Sequence, residues 1–87
     1  MSTGPAVRLS FYSTVGCHLC DEAMEVIGTT CPELLSHLHV VDIADDAGLL
    51  DRYGTRIPVL RSANHDAELD WPFEPKDLLD FIRALDG

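Results

Sequence analysis

The sequence is poor in positive charge, and that scarcity removes whole classes of partner. Six lysines and arginines stand against fifteen aspartates and glutamates, for a formal charge of −9. A surface of that sign repels phosphate backbones and anionic bilayers, so neither nucleic acid nor a membrane is an expected partner. Long apolar runs are missing as well; the longest span only a few residues, far short of a membrane helix. The segment from Met1 to Pro5 lacks the basic start and continuous apolar stretch of a secretion signal, so a cytoplasmic location is expected. Cysteine is scarce too, and its count of three is odd. In a reducing cytosol that argues against a structural disulfide framework, and a close pair reads as catalytic or metal-binding.

Repeats, linkers and low-complexity tracts are also absent from the 87 residues, which leaves room for one domain, 1–87, around one core. What is present is enough to build it. Apolar residues make up 46% of the chain and fall in clusters separated by turn signals, the composition of a folded globule. A monomer is expected.

The stretch Val7 to Tyr12 alternates apolar with polar residues and predicts a first strand. Ser13 to Gly16 make a turn. A helix begins at or near Cys17, with Leu19, Ala23, Val26 and Ile27 at helical spacing and acidic residues in its first turn. Gly28-Thr29-Thr30 ends it, Pro32 opens a short helical turn, and His37 to Ile43 predicts a second strand. Asp45 and Asp46 are placed to cap a second helix carrying Leu49, Leu50 and Tyr53, with Gly54 suited to a left-handed helix end. Ile57 to Leu60 predicts a third strand with its proline at the start, and Asn64-His65-Asp66 a hairpin turn into a fourth strand, Ala67 to Asp70. Pro75 sits at the first position of a last helix whose apolar stripe is Leu78, Leu79, Phe81, Ile82 and Leu85. The fold class is therefore α/β, in the order β-α-β-α-β-β-α.

The chemistry concentrates in Cys17-His18-Leu19-Cys20. Two cysteines in this spacing at a helix start can close a small disulfide ring, and the first lies where unpaired backbone N–H groups and the helix dipole stabilise a thiolate. Cys17 is thus the candidate nucleophile. Cys20, one turn into the helix, is the candidate resolving cysteine that attacks a mixed disulfide on Cys17. His18 either stabilises the thiolate when protonated or is a bystander at the exposed helix start. A closed zinc site needs four ligands, and no second CxxC or H-x₃₋₅-H accompanies the pair, so no metal is expected; Cys31 reads as a small buried hydrophobe.

A strand, then Gly16-Cys17-His18-Leu19-Cys20, then a second strand, then Tyr53-Gly54-Thr55-Arg56-Ile57-Pro58-Val59-Leu60, resembles the thioredoxin superfamily and its glutaredoxin-like branch over nearly the whole chain. The resemblance implies a four-stranded mixed sheet in the order 4-3-1-2, with the first and third helices on one face and the second on the other. It also implies a cis peptide bond at Ile57-Pro58 beside the disulfide, exposing backbone groups of Ile57 to an extended substrate that pairs as an added strand.

The resemblance to glutathione-using glutaredoxins stops short of two features. Thr14 stands where their basic residue is expected, and Leu69-Asp70-Trp71-Pro72-Phe73-Glu74 replaces their glycine-rich segment before the last helix. No cofactor is expected, and the usual glutathione-binding motif is not kept. Compared with thioredoxin, Gly16 replaces the tryptophan before the first cysteine, and His18-Leu19 replaces Gly-Pro between the pair. Arg56 is either a contact for a substrate carboxylate or a solvated residue. Trp71 and Phe73 either flank the disulfide as an apolar contact or cap the core beneath the last helix. The substrate-binding candidates are therefore His18, Leu19, Arg56, Ile57, Pro58 and Trp71.

Two functions from different classes follow. The first is a thiol-disulfide oxidoreductase acting on a protein or small-molecule disulfide. The second is a redox-inert or redox-sensing module that uses the fold to bind a partner chain.

Overall fold

A computed structural model describes residues 8–62 and 65–86. The short alternating runs form β1 (Leu9–Ser13), β2 (Leu38–Asp42), β3 (Val59–Ser62) and β4 (Ala67–Asp70). The stretches of helical period form α1 (His18–Thr30), α2 (Ala47–Tyr53) and α3 (Pro75–Asp86). Two 3₁₀ turns, Pro32–His37 and Ile43–Asp45, flank β2. The sheet runs β2-β1-β3-β4, which is the order 4-3-1-2 that the resemblance implies. β1 pairs with β2 in parallel and with β3 antiparallel, and β4 closes the sheet antiparallel to β3.

The strand period of two divides the core between the two faces of the sheet. Leu9 and Phe11 of β1 and Leu60 of β3 pack against Cys20, Ala23 and Ile27 of α1 and Leu78 and Leu85 of α3. Their neighbours Tyr12 and Val59 turn to the other face, where Ile43, Leu49 and Tyr53 cover them. The helices thus lie as expected, α1 and α3 on one face and α2 on the other.

Capping follows the side-chain chemistry. Asp46 accepts the N–H groups of Gly48 at 2.8 Å and Leu49 at 3.1 Å, which satisfies two orphan donors at the start of α2. At the start of α3 the side chain of Asp77 accepts the Glu74 N–H at 2.9 Å, the reciprocal half of a capping box, with Pro75 in the first helical position.

Several details differ from the sequence reading. β1 begins at Leu9 rather than Val7, which lies outside the described residues, as does Asn64 of the hairpin turn. Leu19, counted in the apolar stripe of α1, is 46% exposed, and Cys20 takes the inward position. The helix starts at His18, and residues 20, 23 and 27 share its buried side at helical spacing. Leu50 and Leu79 also face outward, because Tyr53 and Leu78 already occupy the inward direction of their short helices. Gly54 is not left-handed: its φ and ψ are −52° and −34°. Glycine is needed there for space, since a Cβ would sit 2.5 Å from the Leu50 carbonyl oxygen. The left-handed glycine is Gly16, at φ +80°, in the turn before Cys17.

Candidate functional site

The turn through Gly16 delivers Cys17 from the end of β1 to the start of α1. The Cys17 N–H bonds the Thr14 carbonyl at 3.3 Å, and Cys17 itself is the N-cap, with extended backbone. Its Sγ accepts the Cys20 N–H at 3.1 Å. A sulfur in this position receives one of the unpaired N–H groups of the first helical turn, together with the positive end of the helix dipole. Both favour negative charge on Cys17 once the pair is reduced. Cys17 and Cys20 are joined as a disulfide across a Cα–Cα distance of 5.2 Å. Their access is unequal: Cys17 is half-buried, whereas Cys20 is buried within the core.

The two residues between the cysteines point outward. The His18 side chain is 85% exposed and its Nε2 lies 3.2 Å from Glu22 Oε2, one helical turn away. Leu19 presents an apolar surface beside it, and Val15 in the preceding turn is 89% exposed.

Ile57, half-buried, packs against both core clusters, while Cys17 and Trp71 are partly buried against the larger one. Pro58 is fully buried and follows a cis peptide bond; Trp71-Pro72, a second cis bond, was not among the sequence expectations. The Tyr53 carbonyl accepts two backbone donors, from Arg56 at 2.8 Å and Ile57 at 3.1 Å. The Ile57 N–H is therefore already engaged within the chain. Trp71 meets Phe73 edge to face at 5.0 Å, and Phe73 is buried.

Arg56, expected either at a substrate carboxylate or in solvent, is bound within the chain. Its Nη2 lies 2.6 Å from Glu68 Oε1 and 2.8 Å from Asp70 Oδ1. Glu68 is the centre of a wider cluster that the sequence reading did not foresee. Tyr53 donates its O–H to Glu68 Oε2 at 2.6 Å, Arg52 approaches the same oxygen at 3.4 Å, and Arg61 at 3.6 Å. Arg52 and Arg56 both lie over the buried Tyr53 ring, which stacks on Tyr12 with centroids 4.5 Å apart. One signal was legible: Arg61 and Glu68 are directly opposed across the β3–β4 hairpin, but that register depends on the turn.

The Tyr53 hydroxyl and then the Arg56 guanidinium hold the Glu68 carboxyl below the usual carboxylate range, against an opposing effect of burial. A folded pKa lower than the unfolded one means that the carboxylate stabilises the fold fully above the unfolded value and that this is lost as pH falls through the folded value. Glu68→Gln is therefore expected to cost about 1.5–3 kcal/mol near neutral pH in urea unfolding, the range for hydrogen bonds to charged groups. The gap from wild type should begin to close as pH falls below the ordinary glutamate value of about 4.3, and close fully only below the lowered value in the fold, where Glu68 is itself protonated. A gap that stays constant down to about pH 2 would remove Glu68 from the account of acid sensitivity.

Cys31 lies outside this site. It is half-buried after α1, and burial, with Glu33 beside it, pushes its thiol pKa up, so it is a poor nucleophile. Among the described residues no three of His, Cys, Asp and Glu converge as metal ligands. None of the described helices is long and apolar enough to cross a membrane.

A mixed four-stranded sheet between helices, with a CxxC pair whose first sulfur caps the helix after β1, defines a class: this is a thioredoxin-fold protein of the glutaredoxin-like kind. The particular family follows from residues 8–83, which match the model of the Glutaredoxin-like domain (DUF836), and the chain belongs to that family. It is similar to protein XcR50 from X. campestris, with 39% identity to its X-ray structure over 87% of this chain and 96% of that one, at a TM-score of 0.76. The solution structure of the same protein gives 39% identity and the same TM-score. Protein Ne2328 from Nitrosomonas europaea is 27% identical over 93% of this chain and 95% of its own, with a TM-score of 0.73. No curated protein matches the chain.

Proposed function

We propose that the protein is a cytoplasmic thiol-disulfide oxidoreductase in which Cys17 attacks and Cys20 resolves. The observation that carries this reading is the bond from the Cys20 N–H to Cys17 Sγ at the N-cap, with Cys20 buried behind it. In the reduced protein the Cys17 thiolate attacks one sulfur of a substrate disulfide, forming a mixed disulfide and expelling the other sulfur as a thiolate, which takes up a proton. Cys20 then loses its proton and attacks the Cys17 sulfur. The second substrate sulfur leaves, and two electrons have passed from the dithiol to the substrate.

Ile57 and Pro58 form the docking turn in this proposal. The Ile57 N–H is bonded to Tyr53, so pairing with an extended substrate falls to the Ile57 carbonyl. Leu19, Val15 and Trp71 supply apolar contact around Cys17, and Arg56 acts indirectly, by tying this turn to β4 through Glu68 and Asp70. The lack of a free cation at Arg56 and of a basic residue at Thr14 supports a disulfide substrate other than one bound through glutathione's carboxylates.

The test is the redox equilibrium of the pair, read by alkylating free thiols across defined glutathione and dithiothreitol buffers. One two-electron transition in the range of about −270 to −200 mV, spanning thioredoxins and glutaredoxins, is the expected result. Failure to form a disulfide in any oxidising buffer would end the catalytic reading and leave the partner-binding module in its place.

A further inference from the structure

In the β3–β4 pairing Glu68 is opposite Arg61 and Asp70 is opposite Val59, so both carboxylates share the face of the sheet that α2 covers. From that face Glu68 reaches two residues of the segment that runs from α2 into β3. One carboxylate oxygen accepts the Tyr53 O–H at 2.6 Å, and the other lies 2.6 Å from Arg56 Nη2. Tyr53 and Arg56 are also the residues that fix Ile57, because the Tyr53 carbonyl accepts the Arg56 N–H at 2.8 Å and the Ile57 N–H at 3.1 Å. Asp70, the residue before Trp71, holds Arg56 from the same strand at 2.8 Å. A single side chain on β4 thus grips both residues on which the Ile57-Pro58 turn hangs.

The Glu68 side chain is 20% exposed, and an ionised carboxylate with donors on both oxygens makes stronger bonds than a neutral group of the same shape. A glutamine there turns its N–H group toward an arginine in either orientation, Arg56 on one side or Arg52 and Arg61 on the other. Resting on the oxidoreductase reading, we propose that Glu68 is a positioning residue for protein substrates: it acts through Tyr53 and Arg56 to hold the Ile57 N–H inward and so present the Ile57 carbonyl to an extended segment beside the reacting disulfide. A substrate with a peptide backbone gains from this turn because its ordering precedes binding. A small disulfide has no backbone to pair and gains nothing. The Cys17 thiolate draws its own support from α1 and the Cys20 N–H, apart from this clamp.

The test uses the full chain, reduced and freed of reductant, and two disulfides: the symmetrical disulfide of β-mercaptoethanol, and a short extended peptide whose single cysteine is held as a mixed disulfide with β-mercaptoethanol. In either reaction the protein dithiol gives two electrons and becomes the Cys17–Cys20 disulfide, while two thiols leave, each with one proton. Rate constants are read from the loss of protein dithiol in quenched samples. Glu68→Gln is expected to slow the peptide reaction by roughly three- to thirtyfold, the span of couplings carried by residues that touch neither reactant, and the small disulfide by less than about twofold. The Cys17 thiolate, followed by its ultraviolet absorbance against pH, should titrate as in wild type. Tyr53→Phe removes one of the two anchors and keeps the charge, so it should show the same selectivity to a smaller extent; where circular dichroism finds Glu68→Gln unfolded at the assay temperature, Tyr53→Phe decides.

A control variant, Asp66→Asn, removes the same charge and an arginine pair, Arg61 at 2.9 Å, from the same hairpin. Asparagine suits its φ of 49°, and among the described residues Asp66 has no bond to Tyr53 or Arg56, so both rates should stay at the wild-type values. Equal slowing of the two disulfides by Glu68→Gln and Tyr53→Phe would overturn the proposal, since it would assign these residues to the fold or to the Cys17 chemistry in general. An unslowed peptide reaction would overturn it as well, and so would the same loss in Asp66→Asn, which would assign the effect to charge on the hairpin. If wild type reduces neither disulfide, the oxidoreductase reading itself fails, and the role of Glu68 with it.

Discussion

Cys17→Ser is expected to lose thiol-disulfide exchange by more than about a thousandfold, because no other described sulfur combines access with thiolate stabilisation. Cys20 is buried, and the Cys31 thiol is held in its neutral form by burial and Glu33. The variant should still fold: serine is among the preferred N-cap residues, and its oxygen replaces the sulfur as acceptor for the Cys20 N–H. Cys20→Ser gives the opposite phenotype. Attack by Cys17 is preserved, resolution is lost, and mixed disulfides with substrate accumulate. Intact-protein mass spectrometry after exposure to a disulfide peptide distinguishes the two, with an adduct on Cys20→Ser and none on Cys17→Ser. Wild-type turnover by Cys17→Ser would reassign the nucleophile.

Phe11→Ala is expected to lower stability by about 3–5 kcal/mol, the usual cost of deleting a buried aromatic ring. Phe11 is 1% exposed and lies mid-sheet, opposite Val40 of β2 on one side and Leu60 of β3 on the other. Its ring points into the layer shared with α1 and α3, where close-packed neighbours relax only partly into the void. For a domain of this size the melting temperature falls by about 4–8 °C per kcal/mol, so the loss should be plain in a thermal melt. Val40→Ala is the matched comparison. Its side chain is 53% exposed in the same cross-strand register, and its truncation should cost well under about 1 kcal/mol. Equal losses at the two positions would mean that the layer facing α1 and α3 is not the principal core.

The elements of the site were legible because they are local. CxxC after a strand and at a helix start needs only the alternation of β1, the turn signals and the acidic first turn of α1. Asp46, Pro75 and the positions of β2 and β4 followed from the same short-range rules. Glycine roles were less legible, since the sequence shows that Gly16 and Gly54 lie in turns and not which of them has positive φ. The helical stripes were overcounted for a similar reason. In a short helix one buried position per turn satisfies the core, and Leu19, Leu50 and Leu79 exceed that need.

The Glu68 cluster was illegible because its members come from α2, the following turn and the β3–β4 hairpin, and meet only once the sheet has formed. It engages the Arg56 guanidinium, whose Nη2 pairs with Glu68 and Asp70 within the chain. It also shows why Tyr53, counted only as part of an apolar stripe, carries its hydroxyl: burial requires a partner for it, and Glu68 is that partner.

By itself, then, the sequence determined the order of the elements, the CxxC at a helix start and the acidic character of the chain, since propensity, periodicity and charge are written residue by residue. Tertiary structure decided which sulfur is reachable, which backbone donor near Ile57 is already bonded and which arginine is occupied. Those depend on burial and on distances between segments remote in sequence, which exist only after the strands have paired and the helices have covered both faces of the sheet.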